Sequence, residues 1–143
     1  MLKGVPNLIT PELMDVLMKM GHGDELVIAD GNFPADSNAQ RIVRADGHGV
    51  PAVLDAVLKF LPLDTFVEKP AGVMQPVDPK TPEPTIWKDF RRVIEINEGE
   101  KKELELIERF AFYDRAKEAY AIIATSETAL YANIIIKKGV VVE

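Results

Sequence analysis

The sequence predicts an α/β fold, a three-layer α/β/α single domain over residues 1–143 with a mixed, largely parallel sheet of about six strands. Three observations favour this fold. Apolar runs of strand length alternate with helical patterns along the chain, which is typical of layered α/β domains. Several of these runs are continuously apolar, as in strands that are covered on both faces. A chain of 143 residues, 47% of them hydrophobic, suits one domain with its own core.

The first helix and the first strand have the clearest signals. Thr10 is a suitable N-cap and Pro11 a suitable first helical residue, and apolar residues then recur at helical spacing as far as Met20. Gly21 follows as a helix stop. Residues 26–30 are apolar and end in an aspartate, which predicts a buried strand.

The middle of the chain continues the alternation. Residues 41–44 are predicted to form a strand, and residues 51–61 a helix that begins at a proline. Residues 65–74 are apolar but contain Pro70, which predicts an edge or irregular strand because proline cannot donate a ladder hydrogen bond. The proline-rich, polar residues 77–84 are predicted to form a surface loop.

The remaining elements are predicted from helical spacing and from apolar runs of strand length. Helical spacing returns after the proline-rich loop, and three further apolar runs come after it. The predicted elements are a helix over residues 86–94, a strand over 104–109, a helix over 111–119 and strands over 121–125 and 134–137.

Composition excludes several classes of protein. The chain has no cysteine, so it has no disulfides, thiolate zinc sites or cysteine nucleophiles, and with two histidines no metal site is expected. A net charge of −6 argues against nucleic acid as a partner, because nucleic-acid binding needs a basic surface. Without a signal-peptide pattern or an apolar run of membrane-span length, a cytoplasmic protein with no membrane partner is expected.

The most informative motif lies between the first helix and the first strand, at residues 21–25. His22 stands there between two glycines, so its imidazole has no bulky sequence neighbours. A histidine can both take and give protons near neutral pH, which makes His22 a candidate acid–base group. The alternative is a turn histidine beside glycines that serve only to end the helix.

Further candidates lie near the predicted strand ends. Asp30 ends the first strand, where open α/β sheets place their ligands, although an aspartate there also suits turn capping. Arg109 is predicted to end a strand, and Tyr131 and Asn133 precede the last one; all three side chains can bind hydroxyl groups. His48, in a second glycine turn, suits a surface turn or a subunit contact better than catalysis.

The other sequence motifs do not indicate nucleotide binding, covalent catalysis or ligand stacking. Trp87 recurs at helical spacing with Phe90 and Ile94, which favours packing over stacking on a ligand. The chain has no Walker loop, no Gly-x-Gly-x-x-Gly fingerprint and no nucleophile elbow. Covalent catalysis and dinucleotide chemistry are therefore disfavoured.

An ordered set of blocks covers nearly the whole chain. The blocks are residues 2–6, 11–13, 20–25, 32–35, 44–47, 108–113, 131–133 and 137–140. In this order they resemble the fucose mutarotase and ribose pyranase family, and more closely its fucose branch. The resemblance implies the α/β fold and the interconversion of the α and β anomers of L-fucose, by acid–base ring opening and closure and without a cofactor.

The resemblance also implies roles for individual residues. His22 falls on the acid catalyst of the family, and Asp30 on the aspartate that binds the sugar. Arg109 matches an arginine of the fucose branch. Tyr131 and Asn133 fall on a sugar-binding tripeptide before the last strand, and Tyr131 is a second candidate for proton transfer.

The middle residue of that tripeptide, Ala132, departs from the glycine that is common in the fucose branch. Alanine occurs there in the ribose branch, so a D-ribose pyranase that interconverts pyranose and furanose forms stays open. A non-catalytic sugar-binding protein associated with transport is the third alternative. The resemblance further implies a homo-oligomer, with a decameric ring as the suggested size and sites near subunit boundaries.

Overall fold

The apolar runs of the sequence form one six-stranded sheet in a computed structural model that describes residues 1–143. The strands are β1 (Glu25–Ala29), β2 (Ile42–Ala45), β3 (Ala71–Met74), β4 (Glu105–Ile107), β5 (Ala121–Thr125) and β6 (Ile134–Lys137). Their order across the sheet is β2-β5-β1-β6-β3-β4. Strand β6 is antiparallel to both of its neighbours, and the other pairs are parallel. The prediction of a mixed, largely parallel sheet is confirmed.

Helices cover both faces of this sheet, which confirms the three layers. They are α1 (Pro11–Lys19), α2 (Ala35–Asn38), α3 (Val50–Leu58), α4 (Ile86–Glu98) and α5 (Arg109–Glu118). One hydrophobic cluster contains the buried residues of α1, α3 and α4, and a smaller one contains those of α2 and α5. Successive strand residues point to opposite faces, so Leu26 joins the first cluster and Val27 the second. None of the helices has the length and apolar character needed to span a bilayer.

The predicted edge or irregular strand over residues 65–74 is wrong in extent and position. Only residues 71–74 form a strand, and this strand lies inside the sheet, between β6 and β4. Pro70 immediately precedes the strand, so its missing N–H removes no ladder hydrogen bond. Its carbonyl accepts the Lys137 N–H at 2.8 Å, which ties the start of β3 to the end of β6.

Arg109 does not end a strand, as predicted, but begins a helix. Glu108 is the N-cap of α5, and its carboxylate accepts the Ala111 N–H at 3.0 Å. The N–H groups of Phe110 and Ala111 lower the pKa of Glu108, so the cap remains charged beside the positive end of the helix dipole. The N-cap Glu108 therefore starts a helix where the partly alternating sequence pattern had predicted the end of a strand.

The strand directions give the sheet two functional ends. The carboxyl end is where β1, β3 and β4 finish and β6 begins, and the register there pairs Ile28 with Ile134. The amino end is where β1 begins and β6 finishes, with Glu25 opposite Lys137. At about 3.3 Å per residue, the length of β1 separates the two ends by about 16 Å.

After β6 the chain crosses closely over the segment 62–64. Gly139 donates its N–H to the Pro62 carbonyl at 2.7 Å. A Cβ at Gly139 would lie 2.6 Å from the Leu63 carbonyl oxygen and 2.9 Å from Asp64 Cα, so only glycine permits this approach. The crossing sets the position of Asp64 at the amino end.

We expect Gly139→Ala to lower the free energy of unfolding by about 1–3 kcal/mol, because the added methyl group meets backbone atoms of a segment that hydrogen bonds at Pro62 and Asp64 hold in place. Urea denaturation measures this loss. Gly21→Ala is the matched control, since a Cβ at Gly21 meets only Asp24 Oδ2, at 3.7 Å. Equal losses in the two variants would contradict the close crossing as the cause.

Candidate active site

His22 lies at the amino end of the sheet, in a turn held by its neighbours. Gly21 donates its N–H to Asp24 Oδ2 at 2.8 Å. Gly23 adopts a left-handed conformation with a φ of 86° and donates its N–H to the Lys138 carbonyl at 2.9 Å. The His22 side chain remains 46% exposed. A histidine whose backbone is fixed and whose ring faces solvent can exchange protons with a bound molecule.

The partner of this imidazole is Asp64, which the sequence analysis missed. Asp64 Oδ1 lies 3.0 Å from His22 Nε2 and also accepts the Phe66 N–H at 3.2 Å. Because Nε2 faces a carboxylate, it carries the proton of the neutral ring and leaves Nδ1 as the free nitrogen. The residues are 42 positions apart, so the only available signal was an acid directly after a short apolar run.

The Asp64 carboxyl is buried but ionised. Burial by itself raises the pKa of this carboxyl, but the Phe66 N–H, the His22 ring and the charge of Lys137 together bring the Asp64 pKa below its usual value. A fixed carboxylate of this kind holds a histidine ring in one orientation and one tautomer. The exposed Phe66 ring packs against His22 with its centroid 5.2 Å away, so apolar surface adjoins the imidazole.

Asp30 and Asn133 lie side by side at the carboxyl end. The Asp30 N–H donates to Asn133 Oδ1 at 2.7 Å, and Asp30 Oδ1 accepts the Asn32 N–H at 3.0 Å. Both residues are mostly buried. Every fully buried side-chain nitrogen or oxygen atom of the chain has a hydrogen-bond partner. Asp30 Oδ2 and Asn133 Nδ2, which make no hydrogen bond within the chain, are therefore accessible. Together they offer an acceptor and a donor to a ligand hydroxyl.

Tyr131 is held at the same end in a strained conformation. It is the one non-glycine residue with a positive φ, 53°, which costs about 1–2 kcal/mol for a residue with a Cβ. Trp87 Nε1 donates to the Tyr131 carbonyl at 2.8 Å, and the Val77 N–H donates to Tyr131 Oη at 3.3 Å. Strained residues held by their surroundings cluster at functional sites.

Ala132 is wholly buried in the larger hydrophobic cluster. Neither its methyl group nor its backbone therefore faces the surface of the carboxyl end. The difference between alanine and glycine at this position lies in the core of the protein rather than on its ligand-facing surface.

Arg109 adds an unpaired cation to the carboxyl end. Its exposed guanidinium forms no hydrogen bond or ion pair within the chain, whereas each of the other arginines forms at least one. Arg109 and Val77 line one cleft of about 210 Å³. Val77 also donates its N–H to Tyr131 Oη, so the phenol lies against one of the residues that line this cleft.

A larger groove of about 1010 Å³ lies over α4 and the proline-rich loop. It contains none of the predicted site residues, and its charged lining mixes basic with acidic side chains, among them Arg91 and Glu83, which pair with each other. The smaller cleft, which contains the unpaired Arg109 and adjoins Tyr131 through Val77, is therefore the better candidate. Three or more His, Asp or Glu side chains that could share a metal ion do not come together anywhere.

The predicted site residues divide between the two ends of the sheet. His22 lies at the amino end, about 16 Å of strand away from the carboxyl end. The carboxyl end carries Asp30, Arg109, Tyr131 and Asn133. A single monosaccharide cannot contact both groups in one chain. The second histidine, His48, is exposed in the turn after β2.

Known proteins with similar sequences and structures share one family. Residues 3–141 match the model of the RbsD / FucU transport protein family. The human fucose mutarotase is 52% identical, covering 97% of this chain and 94% of its own length. The L-fucose mutarotase of Actinobacillus pleuropneumoniae is 48% identical over 98% of this chain and 97% of its own. The crystal structure of the Streptococcus pneumoniae fucose mutarotase in complex with L-fucose superposes with a TM-score of 0.92, at 47% identity over 99% and 100% of the two chains.

The lowered pKa of Asp64 predicts a pH-dependent contribution to stability. A carboxyl whose pKa is lower in the folded chain stabilises the fold above its unfolded pKa, about 4, and this contribution is lost as the pH falls through the folded pKa. We expect the difference in unfolding free energy between wild type and Asp64→Asn to be largest near neutral pH and to shrink below about pH 4. Urea denaturation across this range measures it, and a difference independent of pH would contradict the assignment.

Proposed function

The chain belongs to the RbsD / FucU transport protein family, and we propose that it is an isomerase that interconverts the α and β anomers of L-fucose. The observation that carries the proposal is the imidazole of His22, open on one side and bound to a buried carboxylate on the other. The extent of similarity to fucose mutarotases supports the choice of sugar.

Anomer exchange needs only proton transfers around a reversible ring opening. One group removes the proton of the anomeric hydroxyl while another protonates the ring oxygen, and the bond between C1 and the ring oxygen breaks. The resulting aldehyde turns about the C1–C2 bond. The reverse proton transfers then close the ring on the other face of C1, with no net gain or loss of protons or electrons. Acid–base groups at both oxygens are therefore sufficient.

In the proposed mechanism His22 moves the key proton. Its Nδ1 is the reacting nitrogen, because Nε2 is bound to Asp64. Asp64 acts as a positioning residue that holds the ring and its tautomer. Tyr131 is the second proton-transfer group, and its phenol is held by the N–H of Val77, a residue that lines the cleft.

The remaining groups bind the sugar hydroxyls. Asp30 Oδ2, Asn133 Nδ2 and the Arg109 guanidinium are free to bond to hydroxyls and to hold the ring within reach of proton transfer. Ala132 is wholly buried and contributes as the residue that joins Tyr131 to Asn133. Since its methyl group is buried in the core, the alanine gives no argument for ribose over fucose.

The complete site combines two copies of the chain, with the amino end of one against the carboxyl end of the next. Exposed apolar side chains at both ends support this contact: Phe66 and residues 140–142 at the amino end, and Val77, Phe110 and Leu130 at the carboxyl end. Such surfaces mark interfaces. A contact between two different surfaces is heterologous and gives a ring when its rotation closes, and a decamer of stacked rings is the proposed form.

All 143 residues belong to the proposed catalytic unit as one domain, because a single sheet carries both ends of the site. The proposed compartment is the cytoplasm, where free monosaccharides enter metabolism. A protein that works there on a neutral sugar needs no charged surface to attract its substrate.

We expect His22→Ala to reduce the catalysed anomer exchange of L-fucose by about 10²–10⁴-fold, because its general acid–base group is lost. Saturation-transfer NMR between the anomeric proton signals measures the exchange rate. The matched control is His48→Ala, which removes the exposed histidine of the other glycine turn and should leave the rate unchanged. Unchanged exchange in His22→Ala would show that His22 is not the catalyst.

The same measurement on wild type separates the alternatives. Faster exchange of D-ribose than of L-fucose would favour a ribose pyranase. Binding of L-fucose without faster exchange would favour a non-catalytic sugar-binding protein.

A shared site predicts that two inactive variants restore each other. His22→Ala and Arg109→Ala subunits alone should each be inactive or strongly impaired. In randomly mixed oligomers about a quarter of the sites combine an intact His22 with an intact Arg109, so about a quarter of the wild-type activity should return. Co-expression of the two variants with different tags, followed by NMR exchange measurements, tests this. Activity no higher than in the separate variants would contradict the two-copy site.

A further inference from the structure

We propose that Trp87 is a positioning residue for the exchange reaction, because its indole N–H holds Tyr131 in the strained conformation that places the phenol against Val77, at the edge of the cleft. Trp87 does not touch the sugar in this scheme and acts only through Tyr131. The inference rests on the proposed function, in which the phenol of Tyr131 is a proton-transfer group.

The hydrogen bond of Trp87 connects the core to the carboxyl end. Trp87 lies in the first turn of α4 and is 3% exposed, and its Nε1 donates to the Tyr131 carbonyl at 2.8 Å. A buried indole N–H needs an acceptor, and here the acceptor belongs to the loop before β6. The bond therefore fixes one backbone carbonyl of that loop relative to a rigid helix.

The bond also accounts for the left-handed backbone of Tyr131. At a φ of 53°, this residue occupies a region that side chains with a Cβ rarely adopt. The direction of a carbonyl depends on the backbone dihedrals beside it, so a return to an ordinary φ and ψ would turn the Tyr131 carbonyl away from Trp87 Nε1. The strained conformation and the hydrogen bond thus require each other.

At the other end of the same residue, the phenol is held by a second contact. Tyr131 Oη accepts the Val77 N–H at 3.3 Å, and Val77 lines the cleft beside Arg109. The phenol ring is rigid and turns only about χ1 and χ2, so a fixed Tyr131 backbone restricts where its hydroxyl can lie. Trp87 at the backbone and Val77 at the hydroxyl therefore hold the phenol from both ends.

The sequence favours simple packing for Trp87, and packing does occur. Trp87, Phe90 and Ile94 all belong to the larger hydrophobic cluster. Packing alone, however, would be served by any large aromatic side chain. The donor at Nε1 distinguishes tryptophan from phenylalanine, which makes the substitution Trp87→Phe a direct test of the hydrogen bond.

We expect Trp87→Phe to lower kcat for L-fucose exchange about tenfold with a smaller effect on KM, because a displaced phenol transfers its proton less well while the hydroxyl-binding groups remain. Phe90→Leu is the control: this residue is fully buried in the same helix but has no side-chain donor for a hydrogen bond to Tyr131, so the substitution should lower the melting temperature without changing kcat. An unchanged kcat in Trp87→Phe would overturn the inference.

A double-mutant cycle with Tyr131→Phe separates positioning from general destabilisation. If Trp87 acts through the phenol, adding Trp87→Phe to Tyr131→Phe should cause little further loss of kcat. If Trp87 is only structural, the two losses should multiply, which would overturn the inference.

A readout that does not depend on activity completes the test. Hydrogen exchange of the Val77 amide, whose partner is Tyr131 Oη, should speed up in Trp87→Phe about as much as in Tyr131→Phe. Unchanged Val77 protection in Trp87→Phe would refute the positioning role whatever the reaction. Wild-type protein that binds sugar without exchanging anomers would instead refute the proposed function, so the two failures are distinguishable.

Discussion

The single antiparallel strand, β6, is the constraint on which the rest of the structure depends. Because β6 runs against its neighbours, the residues before it lie at the carboxyl ends of β1 and β3, and the residues after it lie where β1 begins. Asn133 thereby meets Asp30 at one end of the sheet. At the other end Lys138 bonds to the turn of His22, and Gly139 crosses the segment of Asp64. One strand of four residues thus organises both halves of the site.

The two halves of the site differ in the hydrogen bonds that their functional groups make within the chain. At the amino end His22 is tied to a buried, ionised carboxylate, which prepares one ring nitrogen for proton transfer. At the carboxyl end the guanidinium of Arg109, one oxygen of Asp30 and the amide nitrogen of Asn133 make no hydrogen bond within the chain, so they remain available for hydroxyls. The acid–base group His22 and the hydroxyl-binding groups are therefore separated within one subunit and are joined by assembly in the proposed function.

Local signals predicted the layered fold and the types of most elements, but not every position within the sheet. A proline inside an apolar run suggested an edge strand, whereas Pro70 precedes β3 and leaves an interior strand intact. The sequence predicted that a strand ends near Glu108, whereas the capping hydrogen bond of Glu108 starts a helix there. In both cases a single residue at a boundary decided the outcome, and a boundary is where periodicity carries least information.

Burial patterns and side-chain types are local properties, so the amino-acid sequence was enough to predict the α/β class, the covered strands and the chemical character of residues such as His22 and Arg109. Which of these groups contact one another depended on how the chain folds. The pairing of His22 with Asp64 and the hydrogen bond from Trp87 to Tyr131 span more than forty residues each. Such contacts depend on strand order and direction, which no local pattern encodes. For the same reason, the tertiary structure alone reveals that His22 and Asp30, eight residues apart in the chain, lie at opposite ends of one strand.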